Sequence, residues 1–308
     1  MASLRTWWKA TQPHSFVASL VGVALGTAIA WREARTFDGL ALLLTAVGVV
    51  CLHAATNMSN DSIDFRRGVD DLPPELVSPF TGGARVLPDR ALSVEAHRRV
   101  WIALYGVAAL IGVVFAVTRP NGWILLVLGA VGGLIGIFYT LPPLSLQYHG
   151  IGEIAVTVIF GPIVVLGAYA VQRGALGWEA FLASLPLGLL VAAFLLVNEM
   201  PEHRTDPKGG KRTIPARIGL EKSVVLYEAL VGSALFLLVA FSVLQWISWV
   251  AVIGLIALVP LARARAVLRA HYREYPAHIP ANAGTIQAVL LLGTAMTLAY
   301  LISAAANL

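Results

Sequence analysis

Nine long apolar segments recur along the whole chain, and they constrain its fold more than any other feature. Each is close to the ~20 residues that a helix needs to cross a bilayer. Of the 308 residues, 58% are hydrophobic and 13% are charged, whereas a soluble domain carries about a quarter charged residues. No alternation of period two suggests a transmembrane β-barrel. The sequence therefore predicts one all-α, polytopic membrane domain over residues 1–308. Its nine transmembrane helices are predicted at 13–31, 40–56, 100–117, 123–139, 151–171, 181–197, 224–243, 246–262 and 285–306.

Basic residues are distributed unevenly between the two sides of such a bundle. If the N-terminus is cytoplasmic, 18 of the 22 Lys and Arg residues fall on the cytoplasmic side. The four on the other side are Arg32, Arg35, Arg119 and Arg173. This bias favours an N-terminus and even-numbered connections in the cytoplasm, and a C-terminus outside. It also accounts for the net charge of +5 without a nucleic-acid partner.

The first apolar segment has a second interpretation. Arg5 and Lys9 precede it and an Ala-Ile-Ala sequence lies near its end, as in a cleavable signal peptide. Trp7 and Trp8, directly before the segment, are typical of an aromatic anchor at the membrane interface. We therefore interpret the segment as the first transmembrane helix.

Two acidic segments follow apolar segments that end on the same predicted face. Asn60-Asp61-x-x-Asp64 follows the second segment, and Asn198-Glu199-x-x-Glu202 follows the sixth with the same spacing. Four crossings separate them, so both emerge in the cytoplasm. The match suggests an internal repeat of helices 1–4 and 5–8, with motifs at 57–71 and 198–219 and a site where the two copies meet.

The residue types in these motifs favour a metal and phosphate site. Residues three and four apart share a helix face, although Pro201 is expected to kink or end the second helix. Mg²⁺ prefers oxygen ligands and is typically held by one or two carboxylates together with substrate phosphates. One such motif is more often a cap with solvated charges, but two matched copies predict Mg²⁺ ions with a diphosphate between them. The two predicted stripes are Asn57, Asp61 and Asp64, and Asn198, Glu202 and Asp206.

These motifs resemble those of the UbiA superfamily of intramembrane aromatic prenyltransferases. NDSIDFRRGVD, at 60–70, is similar to the first aspartate-rich motif, and NEMPEHRTDPKGGKRTIPARIG, at 198–219, is similar to the second. Residues 78–93 and 138–172 resemble the branch that prenylates 1,4-dihydroxy-2-naphthoate for menaquinone. Two positions depart from the common pattern. Gly68 stands where many members carry a third aspartate, and Glu202 stands where Asp is usual.

The resemblance implies a nine-helix bundle around a central cavity with both motifs at its cytoplasmic mouth. The implied reaction is Mg²⁺-dependent transfer of a polyprenyl group from an allylic diphosphate to an aromatic acceptor. The implied metal ligands are Asn60, Asp61, Asp64, Glu202 and Asp206. The candidate diphosphate ligands, whose basic members also serve as topology signals, are Asn57, Asn60, Arg67, Arg85, Asn198, Lys208, Lys211 and Arg212.

Two further side chains are candidates for catalysis. Tyr139 closes the fourth segment, where an aromatic belt is the alternative, and the resemblance implies that it faces the cavity. Glu153 lies just inside the fifth segment, and intramembrane acids are functional candidates by default. It would orient or deprotonate the acceptor, or only bond Tyr148 or His149. Asn282 is predicted to cap the last helix.

Other functions share some of these features. A secondary transporter also contains repeats and intramembrane acids, but its site lies near the bilayer midplane, whereas the acids here collect at one membrane edge. A phosphotransferase for nucleotide-activated headgroups uses aspartates and Mg²⁺, but its Asp-Gly-x-x-Ala-Arg signature is missing. Within the superfamily, 4-hydroxybenzoate, haem and chlorophyll-type acceptors stay open. The prenyl length and the oligomeric state are not predicted.

Overall fold

The computed structural model describes residues 2–35, 37–69, 78, 80–81 and 83–306. Within these residues, helices are the only regular elements apart from one isolated β-bridge. Asp70 and Asp71 of the first predicted motif lie outside the described residues. The helices are α1 (Leu4–Ala10), α2 (Phe16–Ala34), α3 (Gly39–Arg67), α4 (Val94–Thr118), α5 (Gly122–Phe138), α6 (Gly152–Val158), α7 (Val164–Arg173), α8 (Trp178–Glu199), α9 (Ile214–Ile218), α10 (Leu220–Val243), α11 (Leu258–His271) and α12 (Ile279–Ala306).

Each predicted apolar segment coincides with helical structure. In the described part of the chain, eight helical segments are long and apolar enough to cross a bilayer, and α5 adds a shorter one of 17 residues. The fifth crossing is not one continuous helix. A π turn over Ile159–Ile163 joins α6 to α7, because Gly161 leaves helical geometry and Pro162 lacks a backbone donor. The prediction of an all-α, polytopic membrane protein is confirmed.

Local signals end the helices that carry the two motifs. Gly68 adopts a left-handed conformation with φ 69°, and its N–H bonds to the Phe65 carbonyl at 3.2 Å. Gly68, where the resemblance implied a third aspartate, is therefore the C-cap of α3. The second motif leaves α8 at Glu199 and continues as the 3-10 turn Met200–Glu202, so the predicted break at Pro201 is confirmed.

The last helix begins earlier than the sequence suggested. We predicted Asn282 as its cap, but α12 begins at Ile279 and places Asn282 inside the helix. Pro280 suits the first turn of α12. Backbone N–H groups in a first turn have no intrahelical partner, so proline loses no hydrogen bond there. Asn282 is fully buried, and its Nδ2 donates to Asn198 Oδ1 at 2.7 Å. It joins α12 to α8 instead of capping.

Packing places α2 and α8 at the centre of the bundle. α2 packs against α7 and α12, while α8 packs against α6, α10 and α12. Gly26 allows the close approach of α2 to α7, since a Cβ there would overlap the Val165 carbonyl oxygen. α4 lies at the periphery and exposes apolar side chains such as Val117, which is 77% exposed. The bundle thus has α2 and α8 buried at its centre, while α4 presents an apolar surface to the lipid.

Candidate active site

A cavity of about 760 Å³ extends from the ends of α3 and α8 into the apolar interior of the bundle. Its lining comes from α2 to α8 and the connections next to them, while α10 and α12 pack behind α2 and α8. Motif residues form one end of the cavity. Small and aliphatic side chains of α4, α5 and α7 form the remainder. A polar head group and a long hydrocarbon would therefore meet matching surfaces.

Asp61 and Asp64 of the first motif line the polar end and are buried. Asp61 accepts hydrogen bonds from Gln12 Nε2 at 2.9 Å and from the Ala84 N–H at 3.2 Å. Asp64 accepts from the Tyr148 hydroxyl at 2.6 Å and from Lys211 Nζ at 2.9 Å. The first motif is thus tied to four other segments of the chain.

The second motif supplies two more acids and a cation. Glu202 lines the cavity, and the fully buried Asp206 lies directly behind the wall. Burial raises the pKa of Asp206 to about 8, although the nearby Lys211 ammonium opposes that shift. Burial alone would lower the pKa of Lys211, but Asp64 and Asp206 hold it well above its usual value. Lys211 therefore stays charged between the two motifs.

The donor set fits a metal that also needs substrate oxygens. Among the described residues, no three His, Cys, Asp or Glu side chains form a closed metal cluster. Mg²⁺ does not require one, because phosphate oxygens and water complete its octahedron. Asp206 Oδ1 is buried and has no hydrogen-bond partner in the described part of the chain. Its distance to Lys211 Nζ is 4.0 Å. That oxygen, beside Asp64 and Glu202, is a suitable hard ligand.

The predicted diphosphate ligands fall into two groups. Asn57, Asn60, Asn198 and Lys211 line the cavity, whereas Arg67, Arg85, Lys208 and Arg212 are not among its lining residues.

All four basic candidates outside the lining show other contacts or exposure. The Arg67 guanidinium stacks over the Tyr148 ring at 4.2 Å, and Arg85 lies 3.4 Å from Asp89. Lys208 and Arg212 are exposed. Only Lys211, of the basic candidates, enters the cavity wall.

Tyr139 lines the cavity next to α6, and Glu153 of α6 lies behind the cavity wall. Tyr139 is buried and lines the cavity, and its hydroxyl lies 3.2 Å from where a Cβ of Gly152 would stand. Glu153 is buried with both carboxylate oxygens lacking a hydrogen-bond partner among the described residues. Its suggested partners bond elsewhere, Tyr148 to Asp64 and His149 to the Ser145 carbonyl.

Three residues of the site were not selected from the sequence. Gln12 and Tyr148 bond the two aspartates of the first motif, and Glu199 lines the cavity within the second motif. Glu199 is part of the Asn198-Glu199-x-x-Glu202 spacing, and that spacing was a usable signal for selecting it. Tyr148 lies within residues 138–172, whose resemblance was also a usable signal, whereas no periodicity or motif distinguishes Gln12.

Comparison with known sequences gives consistent matches. The model of the UbiA prenyltransferase family matches residues 19–280. The chain is 32% identical to the 1,4-dihydroxy-2-naphthoate octaprenyltransferase of Bacillus subtilis (strain 168), over 72% of this chain and 68% of the relative. The enzyme of the same name from Haemophilus influenzae is 27% identical, over 84% of each chain. Human UbiA prenyltransferase domain-containing protein 1 is 32% identical, over 72% of this chain and 63% of the relative.

Solved structures share the fold at low sequence identity. A UbiA homolog from Archaeoglobus fulgidus, bound to DMAPP and Mg²⁺, superimposes with a TM-score of 0.67 at 15% identity, covering 95% of this chain and 99% of that one. An apo UbiA homolog from Aeropyrum pernix K1 gives a TM-score of 0.64 at 18% identity, covering 94% and 98%. With the family match over residues 19–280, the chain belongs to the UbiA prenyltransferase family of prenyl-transferring membrane enzymes.

Proposed function

We propose that the protein transfers a polyprenyl group from an allylic diphosphate to 1,4-dihydroxy-2-naphthoate in a Mg²⁺-dependent reaction. The observation that carries this proposal is the meeting of two acidic motifs, from α3 and from residues 200–206, at one end of a long apolar cavity. The similarity to enzymes named for this acceptor in two bacteria supports the choice of acceptor. The product would be a demethylmenaquinone-type prenylated naphthalene.

The residues proposed to hold the metal are Asn60, Asp61 and Asp64 on α3, and Glu202 and Asp206 after α8. When bound there, Mg²⁺ would neutralise the charge that builds up on the departing diphosphate. The chain contributes the carboxylates of both motifs and the buried cation Lys211. Negative and positive groups therefore lie side by side, and neither sign of charge is isolated in the low-dielectric interior.

Lys211 is the proposed diphosphate contact of the chain itself. Its ammonium is 4% exposed and bonds Asp64 at 2.9 Å, beside the acids of both motifs. Phosphate oxygens accept strong, charge-assisted hydrogen bonds from such a group. Lys211 would donate to the diphosphate once it enters, while its present partner Asp64 becomes available to the metal.

The apolar part of the cavity would protect the reactive intermediate. Cleavage of the allylic C–O bond leaves a carbocation that water would capture, and a dry pocket prevents this loss. Tyr139 and Phe160 are among the residues that line the cavity, and the faces of aromatic rings attract cations. The hydrocarbon tail would lie along the small and aliphatic side chains of α4 and α5.

The acceptor completes the reaction. Its electron-rich ring carbon bears the carboxylate, and the electron pair of that ring forms the new C–C bond to the allyl cation. CO2 then leaves, and the electron pair of the broken C–C bond restores the aromatic ring. Diphosphate is the other product.

A direct assay tests this proposal. Purified protein in lipid vesicles is supplied with Mg²⁺, labelled polyprenyl diphosphates of graded length, and a panel of acceptors. The panel contains 1,4-dihydroxy-2-naphthoate, 4-hydroxybenzoate and haem, and products are identified by mass. We expect a decarboxylated, prenylated naphthalene as the main product. Prenylation of another panel member in preference would overturn the acceptor, and no prenylated product of any kind would overturn the proposed reaction.

A further inference from the structure

A second pair of acids lies beside the motif site, and the metal ligands do not account for it. Glu153 of α6 and Glu199 of α8 are both buried, at 5% and 4% exposure. Their carboxyl groups are within hydrogen-bonding reach of each other. Both oxygens of Glu153 and Oε2 of Glu199 lack any other partner among the described residues.

Two adjacent buried carboxylates do not both ionise. Like charges at close range in a low-dielectric interior favour a state in which one proton is shared. The groups that face the pair are Lys211, Asp206 and Tyr139. Asp206 adds repulsion, and Lys211 is already bonded to Asp64 at 2.9 Å. When such a pair holds one proton, the remaining carboxylate is free to accept a second.

The pair is held at the cavity and not in the packed core alone. Glu199 forms part of the cavity wall together with Gln147 and Tyr139. Gln147 Nε2 donates to Glu199 Oε1 at 3.0 Å, which fixes the orientation of that carboxylate. Glu153 lies behind the wall as the proton-sharing partner. Glu199 is thus the member of the pair that a ligand in the cavity can contact.

We propose that Glu199, paired with Glu153, is the catalytic residue that accepts the hydroxyl proton of the aromatic acceptor. This inference rests on the proposed function, since it requires a phenolic acceptor in the cavity. Uptake of one proton converts the singly charged pair into two neutral carboxylic acids, which burial favours. Glu199 is not one of the proposed metal ligands, and a base bonded to Mg²⁺ would be a poor proton acceptor.

The bonds, electrons and proton of this step balance. The O–H bond of the acceptor breaks and an O–H bond to Glu199 forms, while the oxygen electron pair enters the ring and the ring carbon bonds the allyl cation. The resulting ketone loses CO2, and the electron pair of the broken C–C bond returns to the oxygen. That oxygen then takes the proton back from Glu199, which restores the singly protonated pair. General-base assistance of this kind contributes about 10²–10⁴-fold to a rate.

The test compares Glu199→Gln, Glu153→Gln and the double variant with the parent protein. We expect Glu199→Gln to lower prenyl transfer by about 100-fold or more. Glu153→Gln retains the carboxylate that faces the cavity and should lose less. The double variant should match Glu199→Gln, because the two residues act as one unit. Glu228→Gln, at a half-buried acid of α10 paired with Arg265 and Arg269, serves as the control and should keep parental activity.

A second readout separates this inference from the proposed function. Thermal stabilisation by Mg²⁺ with a non-reactive thiolo-diphosphate analogue reports the motif site alone. Glu199→Gln should show the same rise in unfolding temperature as the parent protein. If the parent protein itself shows no rise, the proposed diphosphate site is contradicted. Loss of the shift in Glu199→Gln would overturn the assignment of Glu199 to the acceptor.

Acceptors with graded hydroxyl acidity give the decisive comparison. If Glu199 accepts the proton, the loss of prenyl-transfer rate in Glu199→Gln, relative to the parent protein, becomes smaller as the acceptor hydroxyl becomes more acidic. If Glu199→Gln does not accumulate as folded protein, Glu199→Asp replaces it, with reduced transfer and the same trend. A deficit that is equal for all acceptors, or parental transfer in Glu199→Gln, would show that Glu199 is not the base.

Discussion

Lys211 Nζ lies 2.9 Å from Asp64 Oδ2, which joins the second motif to the first across 147 positions of sequence. Both side chains are 4% exposed, so this ion pair is shielded from water. A buried pair of this kind is costly to break, because the remaining charge has no solvent to stabilise it. The contact therefore fixes the relative position of the two motifs at the cavity.

Replacement of this cation should destabilise the protein. Lys211→Met leaves Asp64 buried without its partner, so we expect a loss of about 3–5 kcal/mol in the free energy of unfolding. Mg²⁺ with a diphosphate analogue should restore part of it, since the metal replaces the missing positive charge. Thermal unfolding in detergent with and without both additives measures these effects. Lys208→Met, at an exposed lysine within the turn Asp206–Gly209, should unfold like the parent protein. Equal stability of the two variants would contradict the prediction.

Removal of any one motif acid should abolish turnover. Alanine at a single position removes a proposed metal ligand, and EDTA should have the same effect on the parent protein. Product formation in vesicles gives the measurement, with Glu228→Ala on α10 as an acidic control that does not line the cavity. The positions are Asp61, Asp64, Glu202 and Asp206. Full activity in the presence of chelator would eliminate the Mg²⁺-diphosphate reaction.

Two charge-conserving substitutions distinguish metal ligation from a diffuse negative field. Octahedral Mg²⁺ tolerates little change in ligand position, so Asp64→Glu should lower turnover sharply. Glu202→Asp should keep most of the activity, because Asp is the usual residue of related sequences there. Initial rates at several Mg²⁺ concentrations measure both. If the two variants behave like the parent protein, the acids act through charge alone.

Gly68 should be required for stability and not for chemistry. Its φ of 69° is unfavourable for residues with a Cβ, although the space around it is open. Gly68→Ala should therefore lower the free energy of unfolding by about 1 kcal/mol, while Gly68→Asn, which tolerates this conformation better, should lose less. Turnover should be retained in both. Loss of activity in a stable Gly68→Asn variant would indicate a direct role.

The proposed orientation places both motifs in the cytoplasm. Reporter fusions after Asp71 and after Gly219 should both give a cytoplasmic signal, and a fusion at the C-terminus should give an outer signal. A fusion after Arg173, in a predicted outer connection, serves as the opposite control. An outer signal after either motif would contradict the topology, since the two halves of the site could not then meet.

Much of the architecture was readable from local patterns. Apolar segments of membrane length predicted the helices, because burial in lipid depends on composition within one segment. The repeated spacing in 60–64 and 198–202 predicted which acids meet, and Pro201 predicted the end of α8. These features need only residues that are near one another in the chain.

Other features depend on partners that are far apart in the chain. The bond of Tyr148 to Asp64 spans 84 positions, and that of Asn282 to Asn198 also spans 84, so neither could be predicted from helical spacing. The prediction that Asn282 caps a helix was wrong for this reason. The Glu153–Glu199 pair likewise arises where α6 packs on α8. Hydropathy and motif spacing are properties of one segment, whereas the partner of a buried polar group is chosen by packing between segments.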